Sequence, residues 1–425
     1  MYKFFPSDFL NFEFLRVLGT APTLGSDVGE CLEAAAKIKN DDAESWYTAW
    51  TETAERSEEV GEKALRIGDK ATARWAFMRS SNYRRASELK HTSMLHANLN
   101  PEDPRLLKAI SMSVDNFKKA CALLDSPVEC MEIPYEGFRL PAYLFLPKGG
   151  TECSGRKTPV IINTGGYDSI QEELYHFTAA GARERGYATL TFEGPGQGIV
   201  LRRDKLHMRP DWEVVISAVL DQLILSSQRN PGWNLDLSRI AIVGNSMGAY
   251  YALRGALDTR IKACVSSDGL YDFGKAGRER TPFFMKYLPK NIAESLLRFV
   301  LRFDFRTRWE LAHAAMVLGT GSLSGAFDRI QEFTLGPPSR ERPVPEDITC
   351  PVLVTNARDS IYRLEVTRIY DSLTQLKDGQ TKVLWDPIGV GQGSTQAKVA
   401  ALSHLHAKVF EWLDRVLEVK RMPSN

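Results

Sequence analysis

Histidine is scarce in this chain, which has seven among its 425 residues, and the six cysteines form no C-x-x-C pair. A zinc site or a disulfide framework needs closer spacing, so we expect neither and predict reduced thiols. Neither charge is in excess, with 54 lysines and arginines against 53 aspartates and glutamates. This balance argues against nucleic acid or an anionic membrane as a partner.

Long apolar runs are also absent. No stretch approaches the length of a transmembrane helix, about 20 residues. The apolar start of the chain is interrupted by Pro6, Asp8 and Glu13, unlike the core of a signal peptide. We therefore expect a cytoplasmic protein, and the length predicts two or three compact units.

The apolar pattern changes after residue 126. Before it, alanine, leucine and aromatic residues recur every three or four positions, which predicts an all-helical N-terminal domain over 1–126. Beyond it, the pattern predicts a leading antiparallel hairpin and then apolar strands that alternate with helices. We expect a mostly parallel sheet, formed by 127–272 and 348–425 and covered on both faces. The aromatic-rich insertion 273–347 is predicted to be a helical lid over an apolar pocket.

A serine follows one predicted strand, in the segment Gly244-Asn245-Ser246-Met247-Gly248. G-x-S-x-G between a strand and a helix is typical of the nucleophile elbow of the α/β-hydrolase fold. The small residues allow a sharp turn that exposes the hydroxyl, and the positive end of the next helix favours an oxyanion. We predict this fold with Ser246 as the catalytic serine. The alternative is a structural loop that matches the spacing by chance.

Acyl chemistry at a serine also needs an oxyanion hole, an acid and a base. One expected donor is the backbone N–H of Met247, and the other lies in the loop after the third strand, near Gly166 or Tyr167. Asp359 follows a later strand, in the order Ser…Asp of this fold. We predict Asp359 as the catalytic acid, with a solvated turn aspartate as the alternative.

The base is absent from its expected place. The loop after the last predicted strand, 386–396, contains no histidine. His404 and His406 follow, but within the predicted terminal helix 399–416, where a surface or packing role is the better interpretation. They remain weak candidates for the base. The other candidates have the wrong chain position, and they are His176, His207 and His313.

The segment Glu193-Gly194-Pro195-Gly196-Gln197-Gly198 does not fit nucleotide binding. It lacks both the Lys-Ser/Thr of a P-loop and the G-x-G-x-x-G spacing of a dinucleotide site. We expect a loop beside the pocket, and neither a cofactor nor a metal.

Several segments together resemble a branch of α/β hydrolases that includes bacterial carbon–carbon bond hydrolases with a helical N-terminal domain. These segments are 165–168, 193–198, 208–213, 244–248 and 267–272. Segments 12–22 and 29–32 resemble, more narrowly, the fungal hydrolases encoded beside hybrid polyketide–peptide synthases, of the fusarin and cytochalasan type. Many members of the broader branch carry His-Cys-Gln in the last loop, where this chain has Ser394-Thr395-Gln396.

The resemblance implies an enzyme of fungal secondary metabolism that acts on a polyketide–amino acid intermediate, around formation of a five-membered lactam (pyrrolone) ring. The first interpretation is ring closure with loss of water, which needs a polarised carbonyl more than a serine–histidine relay. The second is a serine hydrolase that cleaves an ester, a thioester or a carbon–carbon bond. The third is a non-catalytic partner of the synthase. A homodimer is left open.

Overall fold

The chain divides into two compact units in a computed structural model, which describes residues 3–94, 103–148, 157–280, 292, 295–296, 299, 301, 304–337, 340–360 and 362–421. Unit 1 comprises Met1–Leu123, Pro195–Pro210 and Asp272–Thr334. Unit 2 comprises Leu124–Gly194, Asp211–Tyr271 and Leu335–Asn425. The segment predicted as a lid, 273–347, is thus shared between the two units.

Five helices precede the first strand in the described part of the chain. In chain order, the helices are α1 (Asp8–Leu18), α2 (Val28–Lys37), α3 (Ala43–Arg66), α4 (Lys70–Met94), α5 (Pro104–Cys121), α6 (Gln171–Leu174), α7 (Ala180–Arg183), α8 (Gly198–Asp204), α9 (Glu213–Arg229), α10 (Met247–Gly255), α11 (Phe273–Arg280), α12 (Phe305–Val317), α13 (Leu323–Ile330), α14 (Arg363–Ser372) and α15 (Leu402–Val416). A π-helical turn, Tyr175–Ala179, joins α6 to α7. The strands are β1 (Val128–Tyr135), β2 (Phe138–Phe145), β3 (Thr158–Thr164), β4 (Ala188–Phe192), β5 (Leu235–Asn245), β6 (Ile261–Ser267), β7 (Val352–Thr355) and β8 (Lys382–Trp385).

Aromatic side chains form much of the core of unit 1. Trp46 and Trp50 on α3 and Tyr83 on α4 are fully buried. Trp50 stacks on Tyr83 with 5.3 Å between the ring centroids. Trp46 Nε1 donates a hydrogen bond to the carbonyl oxygen of Ala86 over 2.9 Å. The helical spacing of these rings therefore reflects the packing of α3 on α4, because large rings bury much apolar area.

Aspartate residues set the starts of several helices in unit 1, among them α2, α3 and α5. Asp27, Asp42 and Asp103 each precede a helix, and each carboxylate accepts a backbone N–H from the first turn. Such a cap satisfies a donor that has no partner within the helix and stabilises it by about 1 kcal/mol. Local chemistry thus decides where α2, α3 and α5 begin.

An eight-stranded sheet, ordered β1-β2-β4-β3-β5-β6-β7-β8, forms the centre of unit 2. The pairs β1–β2 and β2–β4 are antiparallel, and the other neighbours are parallel. Every residue of β3 and β4 is buried, as expected for strands covered on both faces. The predicted mostly parallel sheet with a leading antiparallel hairpin is confirmed.

Helices cover both faces of this sheet. Ile242 on β5 points towards α10, since its Cδ1 would lie 2.6 Å from a Cβ added to Gly255. Its neighbour Val243 lines a small cavity together with Phe177 of the π-helical turn and His406 of α15. Because successive side chains of a strand point to opposite faces, α10 and α15 lie on opposite sides of β5. In the part of the chain that the structure describes, no helix is long and apolar enough to cross a membrane.

Candidate active site

The chain makes a sharp turn at Ser246, between β5 and α10. The Ser246 backbone has φ 56° and ψ −121°, which residues with a side chain rarely adopt. Its N–H donates a hydrogen bond to the carbonyl oxygen of Ser267, the last residue of β6, over 2.8 Å. A strained strand-to-helix turn with the serine at its tip is the backbone arrangement of a nucleophile elbow.

Two glycines make this turn possible. A Cβ added to Gly244 would overlap the carbonyl oxygen of Gly248. A Cβ added to Gly248 would lie 2.6 Å from the carbonyl oxygen of Thr164, the last residue of β3. The G-x-S-x-G spacing is therefore required by the close approach of β3, β5 and α10, whatever the serine does.

The loop after β3 lies against the elbow. A Cβ added to Gly166 would be 3.2 Å from the carbonyl oxygen of Asn245. The N–H of Gly166 donates to Ser169 Oγ over 3.1 Å. Met247 is the first residue of α10, where backbone N–H groups have no acceptor within the helix. The structure thus brings Met247 and Gly166 to one turn, with Gly166 bonded to Ser169 and Tyr167 next in the same loop.

Asp359, in the turn after β7, is paired with a serine. Ser394 Oγ donates a hydrogen bond to Asp359 Oδ2, and the Asp359 N–H donates to the Ser394 carbonyl oxygen over 3.1 Å. Ser394 is 1% exposed and lies in the loop after β8. The fold places the histidine of a triad in this loop, bonded to the acid. A hydroxyl group therefore stands beside Asp359 where an imidazole would be expected.

His406 lies on the sheet face opposite α10. Its Nε2 is 3.0 Å from the carbonyl oxygen of Phe177, to which it can only donate. Burial lowers the pKa of His406 to about 4, so the ring is neutral at pH 7. These contacts are those of a packed core histidine.

His404 is half-buried on the same helix and packs against Trp385, with 5.5 Å between the ring centroids. Within the described residues, the side-chain hydrogen bond to Asp359 comes from Ser394 and from no histidine. The three other candidate histidines are His176 in the π-helical turn of unit 2, and His207 and His313 in unit 1.

A buried ion pair that the sequence did not indicate lies at the same edge of the sheet. Lys398 Nζ is 2.6 Å from Asp268 Oδ1, and the side chains are 0% and 1% exposed. Burial raises the pKa of Asp268 and lowers the pKa of Lys398. The positive charge of Lys398 opposes the first shift, and the negative charge of Asp268 opposes the second. The available signals for Asp268 were its position directly after an apolar strand and its place in the segment 267–272. Nothing in the sequence distinguishes Lys398 from a surface lysine.

No metal centre is found among the residues that the structure describes, since none of their His, Cys, Asp and Glu side chains form a group of three or more suited to an ion. The glycine-rich segment 193–198 follows β4 directly, and Glu193 accepts the N–H of Gln171 over 3.2 Å. This contact holds the start of the segment to α6.

Sequence comparison defines the class of protein. Residues 160–390 match the profile of the alpha/beta hydrolase family. The chain belongs to this family of hydrolase enzymes, and the predicted fold class and enzyme class are confirmed.

The chain is similar, over nearly its whole length, to fungal hydrolases. Hydrolase LUC6 of a Fusarium species is 44% identical over 99% of both chains. The 20-hydroxy-prefusarin hydrolase FUS2 of Gibberella moniliformis is 43% identical over 99% of both chains. The alpha/beta hydrolase psoB of Aspergillus fumigatus is 42% identical over 100% of this chain and 96% of its own. The predicted resemblance to this group of fungal hydrolases is confirmed.

A solved structure shares the fold. The crystal structure of a 2,6-dihydroxy-pseudo-oxynicotine hydrolase has a TM-score of 0.69 and 21% identity, over 96% of this chain and 98% of its own. At this level of identity, the likeness shows the fold alone.

Proposed function

We propose that this enzyme binds an intermediate with a polyketide part and an amino-acid part, and closes its lactam (pyrrolone) ring by polarising a carbonyl group at the elbow. Ser246 and the backbone N–H of Met247 contact the reacting oxygen. A donor from the loop at Gly166 and Tyr167 completes the oxyanion hole.

The pairing of Asp359 with Ser394 carries this proposal. A histidine between the acid and the serine would take the Ser246 proton, because an imidazole titrates near neutral pH. A serine hydroxyl has no such basicity and cannot replace it. Ser246 is therefore better suited to donate a hydrogen bond than to be deprotonated for attack.

Ring closure of this kind needs charge stabilisation more than a proton relay. The carbon between two carbonyl groups loses a proton, and the resulting enolate carbon attacks an aldehyde carbon of the same molecule to form the ring bond. The aldehyde oxygen takes up that proton and becomes a hydroxyl group. The carbon between the two carbonyl groups then loses its second proton, a ring double bond forms as the carbon–oxygen bond breaks, and the hydroxyl group leaves with that proton as water. Negative charge develops on carbonyl oxygens in these steps, and a placed N–H donor stabilises such charge by about 3–4 kcal/mol.

The relatives support the substrate class. The Gibberella moniliformis protein is named as a hydrolase of 20-hydroxy-prefusarin, and the alignment with it leaves 1% of either chain uncovered. Because of that similarity, we propose that this chain acts on a related substrate. The action of the enzyme after a polyketide–peptide synthase, as its partner in the pathway, is part of the same proposal.

Hydrolysis of an ester, a thioester or a carbon–carbon bond is the second candidate function. The strained φ of Ser246 and the names of the relatives favour it. It needs a base that reaches Ser246 when substrate binds.

A linear amino-aldehyde carrying a β-ketoacyl amide tests the proposal. The purified protein, Ser246→Ala and the matched control Ser238→Ala, an exposed serine on the same strand, are compared for the cyclic product by mass spectrometry. We expect Ser246→Ala to lower the rate by about 10²–10³, the effect of losing one oxyanion donor. Incorporation of ¹⁸O from labelled water into an acid product would support hydrolysis instead. Equal rates for all three proteins would reject a role for Ser246, and rates no higher than without protein would favour a non-catalytic partner.

A further inference from the structure

Three strand ends meet at one buried lysine. Lys398 Nζ donates to Asp268 Oδ1 over 2.6 Å and to the carbonyl oxygen of Asn356 over 2.8 Å. The ammonium group also lies 5.4 Å from the ring centroid of Trp385. Asp268 follows β6, Asn356 follows β7, and Trp385 ends β8. A single side chain therefore links the carboxyl ends of three neighbouring strands.

These contacts occupy all the hydrogen-bond donors of the ammonium group. It has three donors and no acceptor, of which two bond to oxygen atoms and the third is attracted by the aromatic face. The Lys398 side chain is 0% exposed. A lysine enclosed in this way holds its neighbours in place and does not contact a substrate.

The backbone around the ion pair is in a conformation that it would not adopt alone. Asp268, Ala397 and Lys398 have φ values of 57°, 54° and 58°. Left-handed backbone is unfavourable for residues that carry a Cβ, and two such residues follow each other in the loop after β8. The loop therefore needs outside contacts to keep its shape. The ion pair is one, and the bond from Gln396 Nε2 to the Asp268 carbonyl oxygen, 2.9 Å, is another.

The same ion pair borders the site on two sides. The N–H of Ser246 bonds to the carbonyl oxygen of Ser267, the residue before Asp268. Ser394, the hydrogen-bond partner of the acid, lies shortly before Lys398 in the loop after β8. Movement of Asp268 would displace the strand end that holds the elbow. Movement of Lys398 would displace the loop that carries Ser394.

We propose that Asp268 and Lys398 are positioning residues of the site, which hold the end of β6 and the loop after β8 in the arrangement that chemistry at Ser246 requires. This inference rests on the proposed function, because it takes Ser246 as the reacting centre. A buried ion pair can often be replaced by uncharged residues without loss of stability. A positioning role can therefore be separated from a stabilising one.

Three variants of the full-length protein make this separation. Lys398→Met keeps most of the length of the side chain and removes its charge. The double variant Asp268→Asn/Lys398→Met removes both charges, so that no ion is left unpaired. The matched control is Arg254→Met, which breaks another ion pair of unit 2, Arg254 with Glu213, whose Nε and Oε2 atoms are 2.6 Å apart. Hydrogen–deuterium exchange of the peptide 386–401, thermal unfolding and ring-closure kinetics are measured for each.

We expect both Lys398 variants to exchange at least about tenfold faster over 386–401, because the left-handed loop opens locally. Arg254→Met is expected to lower the unfolding temperature and leave exchange of this loop at the wild-type rate. Both Lys398 variants should lose at least about tenfold in kcat, with KM within about twofold of wild type, since positioning acts on the bound complex.

The double variant decides between the roles. If it regains stability but not kcat or loop protection, the pair acts by positioning. Wild-type exchange over 386–401 together with wild-type kcat in the double variant would overturn the inference. Hydrogen–deuterium exchange is measured without substrate, so its result does not depend on the proposed reaction. Failure of the proposed function has a different sign, which is full product formation by Ser246→Ala.

Discussion

Ser394 donates a hydrogen bond to Asp359 at the place where the fold would bring a histidine to the acid. The bond joins the turn after β7 to the loop after β8, and the Asp359 N–H returns a bond to the Ser394 carbonyl oxygen over 3.1 Å. The acid and the loop that faces it are therefore arranged as in a triad, but without a histidine to carry the proton. An oxyanion hole retains catalytic value without a triad, because residual acceleration persists when triad members are removed.

Asp359→Asn should have little effect on ring closure. In a serine–histidine–aspartate enzyme, the same change lowers kcat by about ten-thousand-fold, because the imidazole takes the wrong tautomer. Here we expect a loss of less than about tenfold, since the asparagine carbonyl can still accept the Ser394 hydroxyl and no imidazole needs orientation. The measurement is the steady-state kcat of ring closure for Asp359→Asn, compared with that of the wild type and of Ser394→Ala. A loss in the thousands for Asp359→Asn would show that the carboxylate serves a base after all.

Ser394→His should create a reactive Ser246. The new imidazole would stand between the acid and the elbow, in the chain order of a triad. We expect hydrolysis of a p-nitrophenyl ester to appear in this variant and to be lost again in Ser394→His/Asp359→Asn. Circular dichroism establishes that both variants are folded. A folded Ser394→His protein without esterase activity would show that the loop does not present residue 394 to Ser246.

Gly244→Ala should prevent the elbow from forming. Its Cβ would overlap the Gly248 carbonyl oxygen, and backbone cannot yield as a side-chain tip can. We expect a loss of at least about 3 kcal/mol in the free energy of unfolding, the upper range for overpacking. The control is Gly391→Ala, at an exposed position where a Cβ meets no atom within 4 Å. Denaturant unfolding of both variants is the measurement, and equal midpoints would contradict the geometry of the turn.

His406 should make the protein lose stability in mild acid. Burial lowers its pKa from 6.5 to about 4, so the unfolded chain binds a proton that the folded chain does not. Stability from this group is complete above pH 6.5 and falls as the pH decreases towards 4, by about 3 kcal/mol in all. His406→Gln can still donate to the Phe177 carbonyl oxygen and does not titrate, so this part of the acid loss should disappear.

The control for that experiment is Val409→Ala. Val409 lines the same cavity as His406, and this variant keeps the histidine. Its unfolding free energy should be lower at every pH, with the wild-type slope between pH 4 and 6.5. If the free energy of unfolding has the same pH dependence in His406→Gln and in the wild type, the folded protein takes up a proton on this ring as readily as the unfolded chain does.

Much of the fold could be predicted because it is encoded locally. The apolar run 160–162 in β3 indicates burial on both faces, and Gly244 and Gly248 mark a turn that only small residues allow. The position of Asp359, in the turn after β7, could be predicted from chain order alone. For the strand and the turn, the signal lies within a few residues of the feature that it predicts.

The remaining features depend on contacts between distant segments. The bond between the Met208 N–H and the Val317 carbonyl oxygen, 2.7 Å, belongs to unit 1, and no local pattern indicates that these segments join the N-terminal helices. The pairing of Lys398 with Asp268 is equally remote in sequence. A lysine in a polar loop has the same local pattern whether it is buried or solvated, so its role becomes visible only in three dimensions.

Covalent labelling of Ser246 tests the central claim most directly. The wild-type protein is incubated with a small fluorophosphonate, with Ser246→Ala as the blank and Ser394→His as the comparison, and is analysed by intact mass and peptide mapping. We predict that the wild type stays unlabelled while it catalyses Ser246-dependent ring closure, and that Ser394→His gains one phosphonyl group on Ser246. Rapid labelling of Ser246 in the wild type would contradict this claim, because it would show that a base activates the serine.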